Sequence, residues 1–165
     1  MKRTFGIIVV ALAAACKDSD RTVASVSAES LGKLGKDGIV QLSNMLQDNQ
    51  LRLLAINGLG WSKSEEAVAL LKNILEDPSQ DQKAISAAIE AIGRIAPPSA
   101  VDILAKLLNH PQKEARIKTI QALAKIGTPG AITAIERASS EEKDEKVRKA
   151  AQEALDTVKK KEKKN

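Results

Sequence analysis

Tyrosine is absent from this 165-residue chain, and phenylalanine, tryptophan, cysteine and histidine occur once each, as Phe5, Trp61, Cys16 and His110. Each scarcity removes a class of solution. One cysteine forms no disulfide within the chain. One histidine cannot furnish an HExxH motif or a clustered Cys/His metal site, and no such spacing occurs. A core without aromatic rings must be built from Ala, Ile, Leu and Val, which pack well between closely spaced helices, and Ala is the strongest helix former. With 43% hydrophobic and 28% charged residues, the chain has an ordinary globular balance, and an all-α domain is the expectation.

Long apolar runs are scarce too. Ile7 to Ala15 is nine residues, well short of the roughly 20 that span a bilayer as a helix. Lys2 and Arg3 precede this run and small residues lead up to Cys16, so residues 1–15 read as an export signal. The sequence Leu12-Ala13-Ala14-Ala15-Cys16 resembles the lipobox of bacterial lipoproteins, with Leu four residues before the cysteine where the strict pattern has it three before. The resemblance implies cleavage before Cys16 and acylation of its sulfur. Several acyl chains anchor stably where one does not, at about 0.8 kcal/mol per buried methylene. Ala13-Ala14-Ala15 would also serve ordinary signal cleavage, leaving Cys16 as a free thiol.

Self-comparison uncovers a period of about 31 residues. Leu31, Leu59, Ile92, Leu123 and Leu155 align at separations of 28, 33, 31 and 32. The residue before each is small (Ser30, Gly58, Ala91, Ala122, Ala154), and so is the one four before (Ser27, Ala55, Ala88, Thr119, Ala151). Two small residues three apart share a helix face, where a neighbouring helix can approach closely. Beside them the large aliphatic fills the layer between hairpins. Turn residues such as Gly35-Lys36-Asp37-Gly38 and Gly127-Thr128-Pro129-Gly130 lead into a second helix in each of the first four units. There Ile39/Leu42/Met45/Leu46 recurs as Val68/Leu71/Ile74/Leu75 and Val101/Leu104/Leu107/Leu108, a helical stripe. In the fourth copy, Ile132/Ile135/Ala138/Ser139, it fades.

Leu51-Arg52-x-x-Ala55-Ile56-x-Gly58-Leu59-Gly60 and Ala115-Arg116-x-x-Thr119-Ile120-x-Ala122-Leu123-x-x-Ile126-Gly127 resemble the short HEAT-like repeats also found in phycobilin lyase subunits. Val147-Arg148-x-x-Ala151-x-x-Ala154-Leu155 is a third copy. Ala24 and Ile85 stand in place of the arginine in the other units. The resemblance implies a right-handed α-solenoid of about four helical hairpins and a closing helix. The expected organisation is a signal peptide at 1–15, a lipidated N-terminus and tether at 16–21, a repeat domain at 22–158 and a disordered lysine-rich tail at 159–165.

Chemistry-bearing constellations are not assembled by this pattern. His110, in Asn109-His110-Pro111, reads as a solvated loop residue, and no histidine accompanies the serines as an activating base. Glu65 and Glu66 sit at a helix start, where they suit the helix dipole. The formal charge of +5 resides in the ends. Setting aside Lys2, Arg3 and the residues after Val158 leaves 19 basic and 20 acidic residues. A near-neutral body without stacking aromatics argues against nucleic acid.

The expectation is therefore a non-catalytic protein-binding scaffold or adaptor of the bacterial envelope, with no cofactor and no metal, held on the periplasmic or extracellular face through Cys16. The alternative is a lyase-like or chaperone-type enzyme subunit that binds a small ligand. On the second helices, positions one and five after the start of the stripe should face solvent together: Val40 and Asn44, Ala69 and Asn73, Asp102 and Lys106, Thr133 and Arg137. These residues and Trp61, a residue type enriched at binding hot spots, are the candidate partner contacts.

Overall fold

The computed structural model describes the backbone of residues 2–162 and the side chains of residues 6–160. Those residues are helical, with no strand: ten α-helices and one short 3-10 turn. After α1 (Lys2–Ala15) come four hairpins, α2/α3 (Arg21–Lys33, Lys36–Met45), α4/α5 (Arg52–Leu59, Glu65–Glu76), α6/α7 (Gln82–Ile95, Val101–Leu107) and α8/α9 (Lys113–Ile126, Pro129–Glu141). The closing helix is α10 (Glu145–Glu162). It continues through Lys159–Glu162, past the expected start of a disordered tail. Cations stabilise the carbonyl end of a helix, so lysines there extend it where their polarity alone suggested coil. Residues 163–165 lie outside the described residues.

The chain divides into two compact units, 1–91 and 92–165, with the boundary inside α6. In the N-terminal unit α2 packs against α1, α3 and α4, and α3 contacts α5. In the C-terminal unit α10 lies on α8 and α9, α8 on α7 and α9, and α7 contacts α9.

The large-aliphatic column and the column four residues before it form the core, and of the column between them Gly58, Ala91 and Ala122 are buried while Ser30 and Ala154 are half-buried. Leu31, Leu59, Ile92 and Leu123 are fully buried and Leu155 nearly so. Burial of each such side chain contributes roughly 1.5–3 kcal/mol. The small residues bring helix backbones together: a Cβ added at Gly32 in α2 would collide with the Gly58 carbonyl of α4, and one added at Gly58 would lie 2.6 Å from the Ala28 oxygen. In the column four residues before the large aliphatic Thr119 is buried, and its hydroxyl is satisfied by donating to the Ala115 carbonyl at 2.8 Å.

Each hairpin turn contains one residue of positive φ: Gly35, Lys63, Ala96 and Gly127. Gly127 ends α8 in the left-handed conformation, the usual glycine C-cap. Thr128 then caps α9 by accepting from the Ala131 N–H, with Pro129 in its first turn.

Candidate partner-binding face and inter-hairpin clefts

The second helices bury the middle of each stripe, while Leu46, Leu75, Val101, Leu107, Ile132 and the two last members of the fourth copy are half-buried. Ile39, Leu42 and Met45 in α3, Val68, Leu71 and Ile74 in α5, Leu104 in α7 with Leu108 at its C-cap, and Ile135 in α9 are all buried. The opposite side is therefore free. Val40, Asn44, Ala69 and Asn73 are exposed on α3 and α5 of the N-terminal unit, and Asp102, Lys106, Thr133 and Arg137 are exposed on α7 and α9 of the C-terminal unit. Because α3 contacts α5 and α7 contacts α9, each set of four belongs to neighbouring helices of its own unit.

At one edge of these faces the chain returns to the next hairpin, and there the structure contains a device that the sequence comparison passed over. Arg52 donates through Nε to the Leu46 carbonyl at 3.0 Å, Arg116 through Nη1 to that of His110 at 2.8 Å, and Arg148 through Nη1 to that of Glu142 at 3.0 Å. Each arginine thus binds the carbonyl six residues before it and closes the loop. Four residues before each repeat position the chain has Asp20, Asp48, Asp81, Gln112 and Asp144. The four aspartates accept from nearby backbone N–H groups, as with Ala84 N on Asp81 at 2.7 Å and Lys146 N on Asp144 at 2.9 Å. Gln112 makes no side-chain cap bond, and its Oε1 is buried without a partner. The recurrence of Asp four residues before Arg was the available signal.

Two clefts form beside these loops. The N-terminal one, about 230 Å³, is lined by Arg52, Asn73, Asp77 and Gln80 among others. The larger, about 500 Å³, is lined by His110, Arg116, Arg137, Glu141, Glu142 and Lys143 among others. Asn73 and Arg137, both drawn from the expected exposed positions, lie 64 residues apart and so occupy equivalent places two repeats apart.

Electrostatics differ between them. In the C-terminal cleft Arg116 grips Glu142 with both Nε and Nη2, at 2.8 and 3.2 Å, with both side chains largely buried. Burial pushes the Glu142 carboxyl up, but the Asp144 N–H and the Arg116 guanidinium more than offset it and hold the group below its ordinary value. His110 is half-buried instead of solvated, because its Nδ1 accepts from the Gln112 N–H while its carbonyl binds Arg116. In the N-terminal cleft the Ser79 hydroxyl, the Gln80 amide and the Ser79 N–H hold Asp77 down to about 2.

Trp61 follows the end of α4, in the turn, 39% exposed, with Lys33 Nζ 5.0 Å from its ring centroid. Cys16 is buried, and burial pushes its thiol pKa up. With α1 packed on α2 and α3, the sulfur is covered. Among the described residues no cluster of three His, Cys, Asp or Glu side chains is arranged to hold a metal, and no helix is long and apolar enough to cross a membrane.

Residues 79–156 match the family of HEAT repeats. That match covers just under half of the chain. No curated protein matches it by sequence. The complex of CpcE and CpcF of phycocyanin lyase from a Nostoc species is similar over 90% of this chain and 64% of that one, with 25% identity and a TM-score of 0.65. The chain therefore spans less than two thirds of that structure. A designed armadillo repeat protein, solved in complex with the peptide (KR)4, is similar over 89% of this chain and 80% of that one, with 20% identity and a TM-score of 0.56. That likeness concerns the fold: an all-α helical-repeat architecture of the solenoid class.

Proposed function

We propose that this HEAT-repeat chain is a non-catalytic scaffold of the bacterial cell envelope, tethered by lipid on Cys16 on the periplasmic or extracellular face, which holds another protein against its second-helix faces. The observation that carries the reading is the separation of roles within those helices. Most of their apolar stripe is taken up by the core, while all eight candidate contacts remain exposed and three of them, Asn44, Asn73 and Arg137, border clefts. Helical repeats commonly bind through such extended faces. Reversing charge with Lys106→Glu and Arg137→Glu should abolish recovery of crosslinked partners while the thermal melt stays unchanged. Unaltered recovery rejects the face. For the anchor, wild-type protein fed a labelled palmitate should carry label that Cys16→Ala lacks, and an unlabelled wild type rejects the lipid.

The second reading, a lyase-like or chaperone-type subunit that binds a small ligand, draws on the likeness to the phycocyanin lyase complex and on the 500 Å³ cleft. A bilin whose absorption shifts on mixing with the purified chain, and does not shift with Arg137→Ala, would favour it.

A further inference from the structure

We infer that α1 is a latch: docked on α2 and α3 it holds Cys16 closed to acylation, and a lipid bilayer releases it. What the latch controls rests on the tether reading above, whereas its closure is read from the thiol alone, with no lipid attached.

The docked face of α1 is a helical stripe. Val9 and Cys16 are buried, and Leu12 and Ala13 between them are half-buried. Their 3-1-3 spacing puts all four on one side of the helix, the side packed on α2 and α3. Three of the four, Leu12, Ala13 and Cys16, belong to the segment that resembles a lipobox, so an enzyme that reads this segment finds it facing inward. The backbone is closed as well. The Cys16 N–H donates to the Leu12 carbonyl and the Lys17 N–H to that of Ala14, both at 3.0 Å. The peptide bond between Ala15 and Cys16 therefore lies within a hydrogen-bonded helical turn. Cutting that bond needs exposed backbone freed from the turn, and modifying the sulfur needs an open thiol whose thiolate can form. One contact withholds both.

The latch is held weakly. Docking covers one large aliphatic of the apolar run, Val9, and leaves Ile7, Ile8 and Val10 69%, 45% and 65% exposed. A bilayer covers all four, and apolar burial is favourable in proportion to area, so lipid outcompetes the protein for α1. Lys17, Asp18 and Asp20 follow at once. Charges stay out of the acyl layer, so a withdrawn α1 leaves Cys16 at the headgroup boundary.

Packing on the protein side is incomplete in two places. A cleft of about 400 Å³ separates Val10 and Ala14 of α1 from Gln41 and Asn44 of α3. Eight residues before each large aliphatic the chain has Val23, Leu51, Ala84, Ala115 and Val147. The last four are at most 8% exposed, whereas Val23 is 42% exposed. The single helix α1 precedes the first repeat, where a whole hairpin precedes each of the others.

Cys16 is the only cysteine, so alkylation by N-ethylmaleimide, followed by mass, reports this sulfur alone. The full chain in buffer should react at least about tenfold more slowly than the same chain unfolded in urea, because a covered group reacts only through local opening. Val9→Asp, on the docked side, should restore most of that rate, and Val10→Asp, on the outer side, should leave it unchanged. A retained thermal melt shows that the repeat body stays folded in both. Wild type as reactive as unfolded chain, or equal rates in the two variants, overturns the latch. On phosphatidylcholine vesicles, which the reagent permeates, wild type should float with the lipid and approach the Val9→Asp rate. Chain that does not float, or floats with its thiol still protected, overturns release by a bilayer. A protected wild type that takes up no palmitate in cells rejects the lipid anchor and keeps the latch; a labelled one whose thiol is open in buffer rejects the latch alone.

Discussion

The two compact units repeat one motif but complete it by different means. In residues 1–91 helices α2 and α4 meet through Gly32, Gly58 and Ala28, where backbone touches backbone and no side chain intervenes. In residues 92–165 the loop between α9 and α10 is clamped instead by Arg116, which bonds Glu142 twice and the carbonyls of His110 and Pro111. The N-terminal unit leaves large apolar side chains on its surface, while the C-terminal one carries 26 charged residues in 74. A repeat column therefore specifies a place in the layer, not a way of stabilising it. Close backbone approach and a polar clamp are interchangeable solutions at the level of the fold, but they fail differently.

The largest expected effect tests the close approach. Gly32→Ala forces a methyl into the Gly58 carbonyl, backbone against backbone with no flexible neighbour to yield, and should destabilise by about 3 kcal/mol. Gly93→Ala in the other unit meets the Ala122 Cβ at 2.9 Å and its Cα at 3.0 Å, a milder clash than at Gly32, and should cost about 1–2 kcal/mol after the helix preference of alanine is counted. Equal midpoints in urea unfolding would erase the contrast. Next, Arg116→Ala strands Glu142 in a largely buried place and should cost about 2 kcal/mol. Arg52→Ala removes one carbonyl bond and should cost about 1 kcal/mol. The reverse order in thermal melts would show that the clamp does not distinguish the units.

A gain is expected from Gln112→Asp, which restores the aspartate of the other repeats at an N-cap of extended conformation and removes a buried unpaired oxygen. The melt should rise by the equivalent of about 1 kcal/mol, and a fall would reject the cap geometry. The smallest effect is the pH dependence. Asp77, Glu142 and Asp144 have folded pKa values below their ordinary ones, so their contribution is present above the ordinary carboxylate range and lost as pH falls through the folded values. For Asp77 that window runs from 3.8 to about 2. The melting temperature should hold from neutrality to about pH 5 and decline below it, and Asp77→Asn should flatten the decline. An unchanged slope in that variant would remove Asp77 from the account.

Much of the architecture was legible because the information was periodic. The columns at Leu31 through Leu155 and at Ser27 through Ala151 fall in the core, and the second-helix stripes face inward, leaving Val40, Asn73, Lys106, Arg137 and their companions exposed. Period and side-chain size suffice there, because each column returns to the same place in the layer of every repeat. His110 and the end of α10 were less legible. The histidine's surroundings come from Arg116 and Gln112, bonded to it across a loop, and the helix end depends on how far lysines extend a helix that packing has already begun.

The sequence by itself determined the helical class, the repeat length and the identity of the buried columns, since each follows from spacing and residue volume along one helix. It did not determine which carbonyls the arginines would bind, that Cys16 would be covered, or that Val23 would stand exposed in a column buried everywhere else. Those outcomes depend on what lies opposite each residue in the next layer. Only tertiary packing supplies that neighbour, and at Val23 it supplies none that covers the side chain.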